Sequence, residues 1–278
     1  MIPKIIHYCW FGDNPLPELA KKCVASWKKY SPDYEIILWN EDNFDIKTVF
    51  FTEQVAKEKK WGFIVDYIRA HVIYHYGGIY LDTDVELLKP FSDDILQNIC
   101  FSGFQDEKNI APGLVFAGEK GCHIAKELMD FYASYNSMNK DGELSLVASP
   151  EIFTNMLLKY GLKQNNEYQE LGVFTSYPTE YFCPMSYKTG LISVTQNTYC
   201  IHYYAASWLP EEYILNNELR WRVYAILGDN VFSKIIIAFC LVTKKIKTHG
   251  ILATLEYCRQ KYIHEKNLRL KDGDNVII

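Results

Sequence analysis

The chain has 278 residues and a formal charge of -5, with 49% hydrophobic and 15% aromatic residues. That apolar content excludes a disordered tail or a fibrous repeat, neither of which could offset chain entropy, and fits one large domain or a domain with an appendage. The mildly acidic total excludes a general nucleic-acid binder, which needs a basic excess to meet phosphates.

In chain order, residues 4–10 are apolar and β-branched and read as a buried strand, followed by a loop with Gly12, Pro15 and Pro17. Leu19, Cys23 and Trp27 at fourfold spacing predict a helix over 19–29 that stops at Ser31-Pro32. Residues 34–39 are a second strand, so the start of the chain reads as a β-α-β unit with parallel strands. The spacing of Val55, Phe63, Tyr67, Ala70, Ile73 and Tyr74 predicts one helix over 53–76, ended by Gly77-Gly78. Residues 79–81 form a short strand running directly into Asp82-Thr83-Asp84, with extended structure resuming at 85–88. Strands at 99–104 and 113–117 and a helix over 123–135 follow, then a Tyr-, Pro- and Ser-rich stretch and a strand at 198–204. The alternation predicts an α/β sandwich with ligands at the strand ends.

The last part, from Trp221, reads as helical and differs in charge. Nine Lys and Arg between Lys234 and Lys271 face only Glu256 and Glu265, a balance of +7 that leaves -12 on the rest of the chain. Eight scattered cysteines without a C-x-x-C pair predict reduced, mostly buried thiols in a cytoplasmic protein. The amino terminus lacks the charged start and apolar stretch of a secretory signal, and no apolar run reaches the about 18 residues that span a bilayer.

The strongest chemical signal is Gly77-Gly78-Ile79-Tyr80-Leu81-Asp82-Thr83-Asp84. Two carboxylates just past a buried strand are costly to bury unpaired. They suit either a hard divalent cation that would neutralise a diphosphate or a solvated turn. Asp66 and Arg69 share the apolar face of their helix, as a structural ion pair or as an arginine for phosphate and sugar oxygens oriented by Asp66. Near the other end, His202 and Ser207-Trp208 follow a strand pattern, and they could bring an imidazole, a hydroxyl and an indole to the same pocket or simply belong to the core. Trp10 ends the first strand, placed to stack on a nucleobase or to fill the core.

The stretch Ile2-Pro3-Lys4-Ile5-Ile6-His7-Tyr8-Cys9-Trp10-Phe11-Gly12, then Asp66-x-x-Arg69, then Gly77-Gly78-Ile79-Tyr80-Leu81-Asp82-Thr83-Asp84, resembles the family 32 glycosyltransferases. These are capsular-polysaccharide and Och1-like sugar transferases with a DXD motif, distantly similar to the glucosyltransferase domains of large clostridial toxins. The resemblance covers roughly residues 1–210. It implies a GT-A fold with a Rossmann-like mixed sheet flanked by helices, over residues 1–220, and leaves residues 221–278 as a basic helical extension. It further implies Mn²⁺ or Mg²⁺, a nucleotide-sugar donor with UDP-hexose favoured, a saccharide acceptor, and retention of anomeric configuration in capsular or other surface polysaccharide synthesis. By position, Asp82, Asp84, Arg69 and Asp66 would be catalytic. Trp10, Asp66, Arg69, Gly78, Tyr80, Asp82, Ser207 and Trp208 would bind the donor, and Asp82, Asp84 and His202 would hold the metal. Ser149-Pro150 and Thr154-Asn155 resemble a family segment near the acceptor.

No carboxylate stands out as a nucleophile, so the resemblance favours front-face attack, with the leaving phosphate taking the acceptor's proton. Two rivals remain. A haloacid-dehalogenase phosphatase also runs a buried strand into Asp-x-Asp, but has Thr or Val where Glu86 stands here. A non-catalytic nucleotide-sugar binder would have no need of a metal at a leaving group. Residues 235–242 are too short to span a membrane and are followed by Lys244, Lys245 and Lys247. They suit a core helix with a solvated end or a peripheral helix on an anionic inner membrane face, which would match a lipid-linked acceptor.

Overall fold

The computed structural model describes residues 1–135, 137–138, 144–206, 209, 211–251, 253 and 255. The chain forms two compact units, one of Met1–Tyr187 with Ile192–Leu209, the other of Lys188–Leu191 with Pro210–Ile278. The first unit contains β1 (Ile5–Cys9), α1 (Glu18–Tyr30), β2 (Glu35–Trp39), α2 (Phe50–Lys57), α3 (Trp61–Tyr76), β3 (Gly78–Tyr80) and β4 (Val85–Leu87). It continues with α4 (Asp93–Leu96), β5 (Cys100–Gly103), β6 (Phe116–Gly118), α5 (His123–Ser134), α6 (Ser149–Leu158), β7 (Gln169–Glu170), β8 (Thr175–Tyr177), α7 (Thr179–Phe182) and β9 (Cys200–His202). The second unit holds α8 (Glu211–Leu227) and α9 (Val231–His249).

Seven strands form one mixed sheet in the order β2-β1-β3-β6-β5-β8-β7. β1 runs parallel to both β2 and β3, as the β-α-β reading requires, while β6 lies antiparallel between β3 and β5. Helices cover both faces. Alternation along β3 sends Tyr80 into one core, with Val55, Ile64 and Ile68, and sends Ile79 and Leu81 into the other, with Cys23, Trp27 and Phe182. Burial on both faces explains why β1 reads as a continuous apolar run. The α/β class and the mixed sheet flanked by helices are therefore as the sequence predicts. The seven described cysteines are free, six of them buried.

Several boundaries differ from the sequence reading. The helix expected over 53–76 is two helices, because Lys59 takes a left-handed conformation (φ 52°) that no α-helix continues through. The strand expected at 113–117 is Phe116–Gly118, since Leu114 N–H turns back to the Ala111 carbonyl before the strand starts. The strand expected at 198–204 is confined to Cys200–His202, and the helical part placed from Trp221 onward already begins at Glu211.

The junction of α3 and β3 is held by His7. The indole N–H of Trp39 donates to His7 Nδ1 (3.1 Å), so Nε2 carries the proton and donates to the Gly77 carbonyl (2.8 Å). Gly77 ends α3, and Gly78 (φ 106°) lies so close to β1 that a β-carbon would sit 2.6 Å from the Ile5 carbonyl. Burial pushes His7 down to about 4, only partly opposed by its bond to Gly77, and burial with the neighbouring His75 pushes His71 down to about 4 as well.

The unfolded chain therefore takes up a proton near pH 6.5 that His7 refuses until about pH 4, so stability is present above that window and falls as pH drops through it. Urea unfolding is expected to show His7 alone removing about 3 kcal/mol between pH 7 and pH 4. A His7→Gln chain should have a visibly shallower dependence over the same range.

Candidate active site

Tyr80 and Asp82 are two residues apart along an extended segment and face the same side. Tyr80 is buried, and its hydroxyl donates to Asp82 Oδ1 at 2.8 Å. The main chain of Asp82 is pinned as well: its N–H donates to the Gly113 carbonyl (3.0 Å), and its carbonyl accepts from Val85 N–H (3.0 Å). That turn leads from β3 into β4.

Arg69, on α3, lies behind Asp82. Its Nη2 is 3.4 Å from Asp82 Oδ1 and 3.3 Å from Asp66 Oδ1, and its Nη1 donates to Ser149 Oγ at 3.3 Å. The guanidinium carbon stands 5.2 Å from the centre of the Tyr80 ring. The side chains of Arg69 and Asp66 are 6% and 5% exposed against 29% for Asp82, so Asp82 is the member that solvent reaches. Burial drives Asp66 up to about 6 against the pull of Arg69 and Ser149, and burial raises Asp82 against Arg69. Burial works against the charge on Arg69 too, but Asp82 and Asp66 outweigh it and hold the guanidinium charged.

The third group arrives from far along the chain. β9 pairs antiparallel with β4, with His202 opposite Val85, and this brings His202 Nε2 to 3.2 Å from Asp84 Oδ1. Asp84 Oδ2 accepts from Ala205 N–H at 2.8 Å. Burial would raise Asp84, yet His202 and these hydrogen bonds outweigh it and hold the carboxyl below its usual range. Burial would lower His202, and Asp84 raises it well above. The ribbon itself rests on α1, where the Trp27 indole donates to the Val85 carbonyl (2.7 Å) and Ser26 Oγ accepts from Leu87 N–H (2.9 Å).

Asp82, Asp84 and His202 each offer a ligand atom within 4.8 Å of the others. Two carboxylates and an imidazole are a donor set that accepts Mn²⁺ or Mg²⁺. Ligands at right angles around a cation with bonds of about 2.1 Å lie about 3 Å apart, and the 3.2 Å between Asp84 and His202 meets that requirement. These residues fit a divalent ion.

Other expected residues fall differently. Trp10 follows β1 at the edge where β1 and β3 both end, half-buried, with its indole donating to the Asn14 carbonyl (2.6 Å). Gly78 is at the opposite end of β3, where it meets Ile5 and His7, so close backbone packing accounts for it and it does not join the site. Tyr80, expected at a ribose, spends its hydroxyl on Asp82 and acts in this structure as a positioning group. Ser207 and Trp208 lie outside the described residues. The segment leading to them is constrained, with Tyr204 and Ala206 both in the left-handed region (φ 51° and 48°), a conformation that costs energy for residues with a β-carbon. A cavity of about 680 Å³ near Asn98, Tyr168, Tyr177 and Tyr199 contains none of these residues.

Sequence reasoning misses Gly113 altogether. A β-carbon there would lie 2.1 Å from Asp82 Oδ2 and 3.3 Å from Arg69 Nη1, so glycine is required by how closely the loop approaches the carboxylate. Ser149 was expected only at the acceptor side, yet it bonds Arg69 directly. Neither carries a sequence signal beyond Ser149-Pro150, because both act through contacts distant along the chain.

The family described as the glycosyltransferase sugar-binding region containing the DXD motif matches residues 17–102, a stretch that includes Asp66, Arg69, Asp82 and Asp84. Over that stretch the chain is similar to the DXD glycosyltransferases. Inositol phosphoceramide mannosyltransferase 3 of Schizosaccharomyces pombe is 34% identical over 96 residues, which is 30% of this chain and 24% of that protein. Subversion of eukaryotic traffic protein A of Legionella pneumophila is 25% identical over 159 residues, 46% of this chain and 24% of that protein. The matched segments thus span about a quarter of these relatives. Among solved structures, PaToxG Glycosyltransferase is similar with a TM-score of 0.45 and 21% identity, covering 57% of this chain and 69% of that one.

Gly113→Ala is expected to push the Asp82 carboxylate off its present position without unfolding the sheet. Isothermal titration with Mn²⁺ should show affinity reduced at least tenfold, while the far-ultraviolet dichroism stays that of the parent. Unchanged Mn²⁺ binding would refute the close approach as the reason for glycine.

Proposed function

We propose that the chain is a metal-dependent, retaining hexosyltransferase that takes a nucleotide-sugar, a UDP-hexose first, and glycosylates a saccharide acceptor in capsular or other surface polysaccharide synthesis. The observation that carries this reading is the convergence of Asp82 and Asp84, from the turn between β3 and β4, with His202, from β9, on one point backed by Arg69. The names of the fission-yeast relatives join a mannosyltransferase to inositol phosphoceramide, which supports a lipid-linked acceptor and makes GDP-mannose the first alternative donor.

Mn²⁺ or Mg²⁺ held by Asp82, Asp84 and His202 would neutralise the diphosphate and ease its departure. The protein's own part is positioning. Tyr80 and Arg69 fix the Asp82 carboxylate from two directions, so it is held in place before any ligand arrives. Asp66 and Ser149 hold Arg69 in turn. Arg69 keeps its positive charge in this buried setting and supplies a fixed field toward the developing negative charge. Trp10, at the same sheet edge, offers an indole face for the base. With Asp66 committed to Arg69, attack from the front face, with the leaving phosphate accepting the acceptor's proton, requires no protein nucleophile.

Screening UDP-glucose, UDP-galactose, UDP-N-acetylglucosamine and GDP-mannose for donor hydrolysis should give one donor whose turnover is lost in EDTA and restored by Mn²⁺. Asp84→Ala should lower that turnover by about 10² to 10³-fold, and full activity in this variant with metal present would overturn the assignment. Tyr80→Phe, which removes only the hydroxyl on Asp82, should weaken Mn²⁺ roughly 10-fold and lower turnover at limiting metal far more than at saturating metal.

A further inference from the structure

The second unit presents a feature unrelated to the candidate active site. α9 starts at Asn230, whose Oδ1 accepts from Ser233 N–H (3.0 Å) while Ser233 Oγ accepts from Asn230 N–H (3.1 Å), a reciprocal cap that fixes the helix start. One stripe packs inward: Ser233 and Ile237 are buried, and Lys244 on the same stripe donates to Asn216 Oδ1 of α8 at 2.9 Å. The opposite stripe is apolar and open. Val231, Phe232, Ile235, Phe239 and Val242 are 72%, 63%, 59%, 68% and 39% exposed. At the helical repeat, these five fall within an arc of about 100°.

The charges on α9 are arranged around that stripe. Lys234, which pairs with Asp229 just before the helix (3.4 Å), and Lys245 lie along one flank and the exposed Lys247 along the other, and the helix contains no Asp or Glu. Soluble surfaces rarely leave a contiguous apolar patch of this kind without a use. No helix of the described residues is long and apolar enough to cross a membrane. A second copy of the helix would bring lysines against lysines, whereas a surface with apolar depth and negative charge matches both the stripe and its flanks.

We propose that α9 is an interfacial helix that lays the Phe232, Ile235, Phe239 and Val242 stripe into an anionic lipid surface, with Lys247 on its flank meeting the lipid phosphates. The helix axis then lies in the membrane plane, and binding depends on apolar contact and charge together. Nothing in this requires the enzymatic reading.

The test is sedimentation of the full chain with sucrose-loaded vesicles of phosphatidylcholine, alone or mixed with phosphatidylglycerol. Binding should be at least tenfold stronger to the mixed vesicles and should fall as salt is raised. An Ile235→Ser/Phe239→Ser chain should lose at least tenfold in partitioning while melting at the parent temperature, since both side chains are exposed. Lys247→Gln should lose roughly fivefold on mixed vesicles and little on neutral ones. The proposal is overturned if the full chain stays in the supernatant with mixed vesicles or if the Ser variant binds as well as the parent. It is equally overturned if sedimentation without lipid shows a dimer that the Ser variant converts to monomer, which would make a second copy the occupant.

Discussion

Three aspartates gathered at one edge of a sheet cannot stay ionised and buried without positive charge among them, and this requirement organises the molecule. Asp66 and Asp82 share Arg69, and Asp84 has His202. The balance is three carboxylates against two cations, so the group is one charge short, and the half-buried Asp82 is where that surplus of negative charge faces solvent. A buried ion pair is weak support for stability. Its value here is geometric: a shared guanidinium holds two carboxylates in one place.

The topology exists to deliver those groups. β3 ends where Asp82 begins, with β1 beside it supplying His7 and Trp10, and α3 returns across the same strands carrying Asp66 and Arg69. β4 and β9 form a separate two-stranded ribbon, too short to be stable alone. α1 compensates by bonding it through Trp27 and Ser26. A tryptophan that reads as plain core in the sequence is thus also the prop under Asp84.

How much was legible follows from how local each signal is. The first two strands, the helix between them, the Asp66 and Arg69 pair and the Asp-x-Asp turn are written in short-range spacing, and the structure has them there. The break at Lys59 escaped because the apolar repeat continues in phase across it, and nothing in Glu58-Lys59-Lys60 announces a left-handed residue. Gly113 escaped because the demand for it comes from Asp82, a neighbour in space and not in sequence. Its position in the motif puts Tyr80 beside a ribose, whereas its hydroxyl turns to Asp82 through a contact that spacing alone does not reveal. Its place in the motif groups Gly78 with the donor, although the close backbone of β1 accounts for it.

The pairing of β4 with β9 also sets an order of events during synthesis. Asp84 meets its partners Tyr203 and Ala205 only after well over a hundred further residues have been made, the Ala205 contact alone spanning 121 positions. Until β9 emerges, Asp66 and Asp82 already have Arg69, but Asp84 has no cation and the ribbon has one strand. Any nascent chain or proteolytic fragment ending before Cys200 would carry the whole Asp-x-Asp signature and yet lack the imidazole. The imidazole thus reaches Asp84 only through the pairing of β9 with β4, and the motif by itself does not assemble the three-residue cluster.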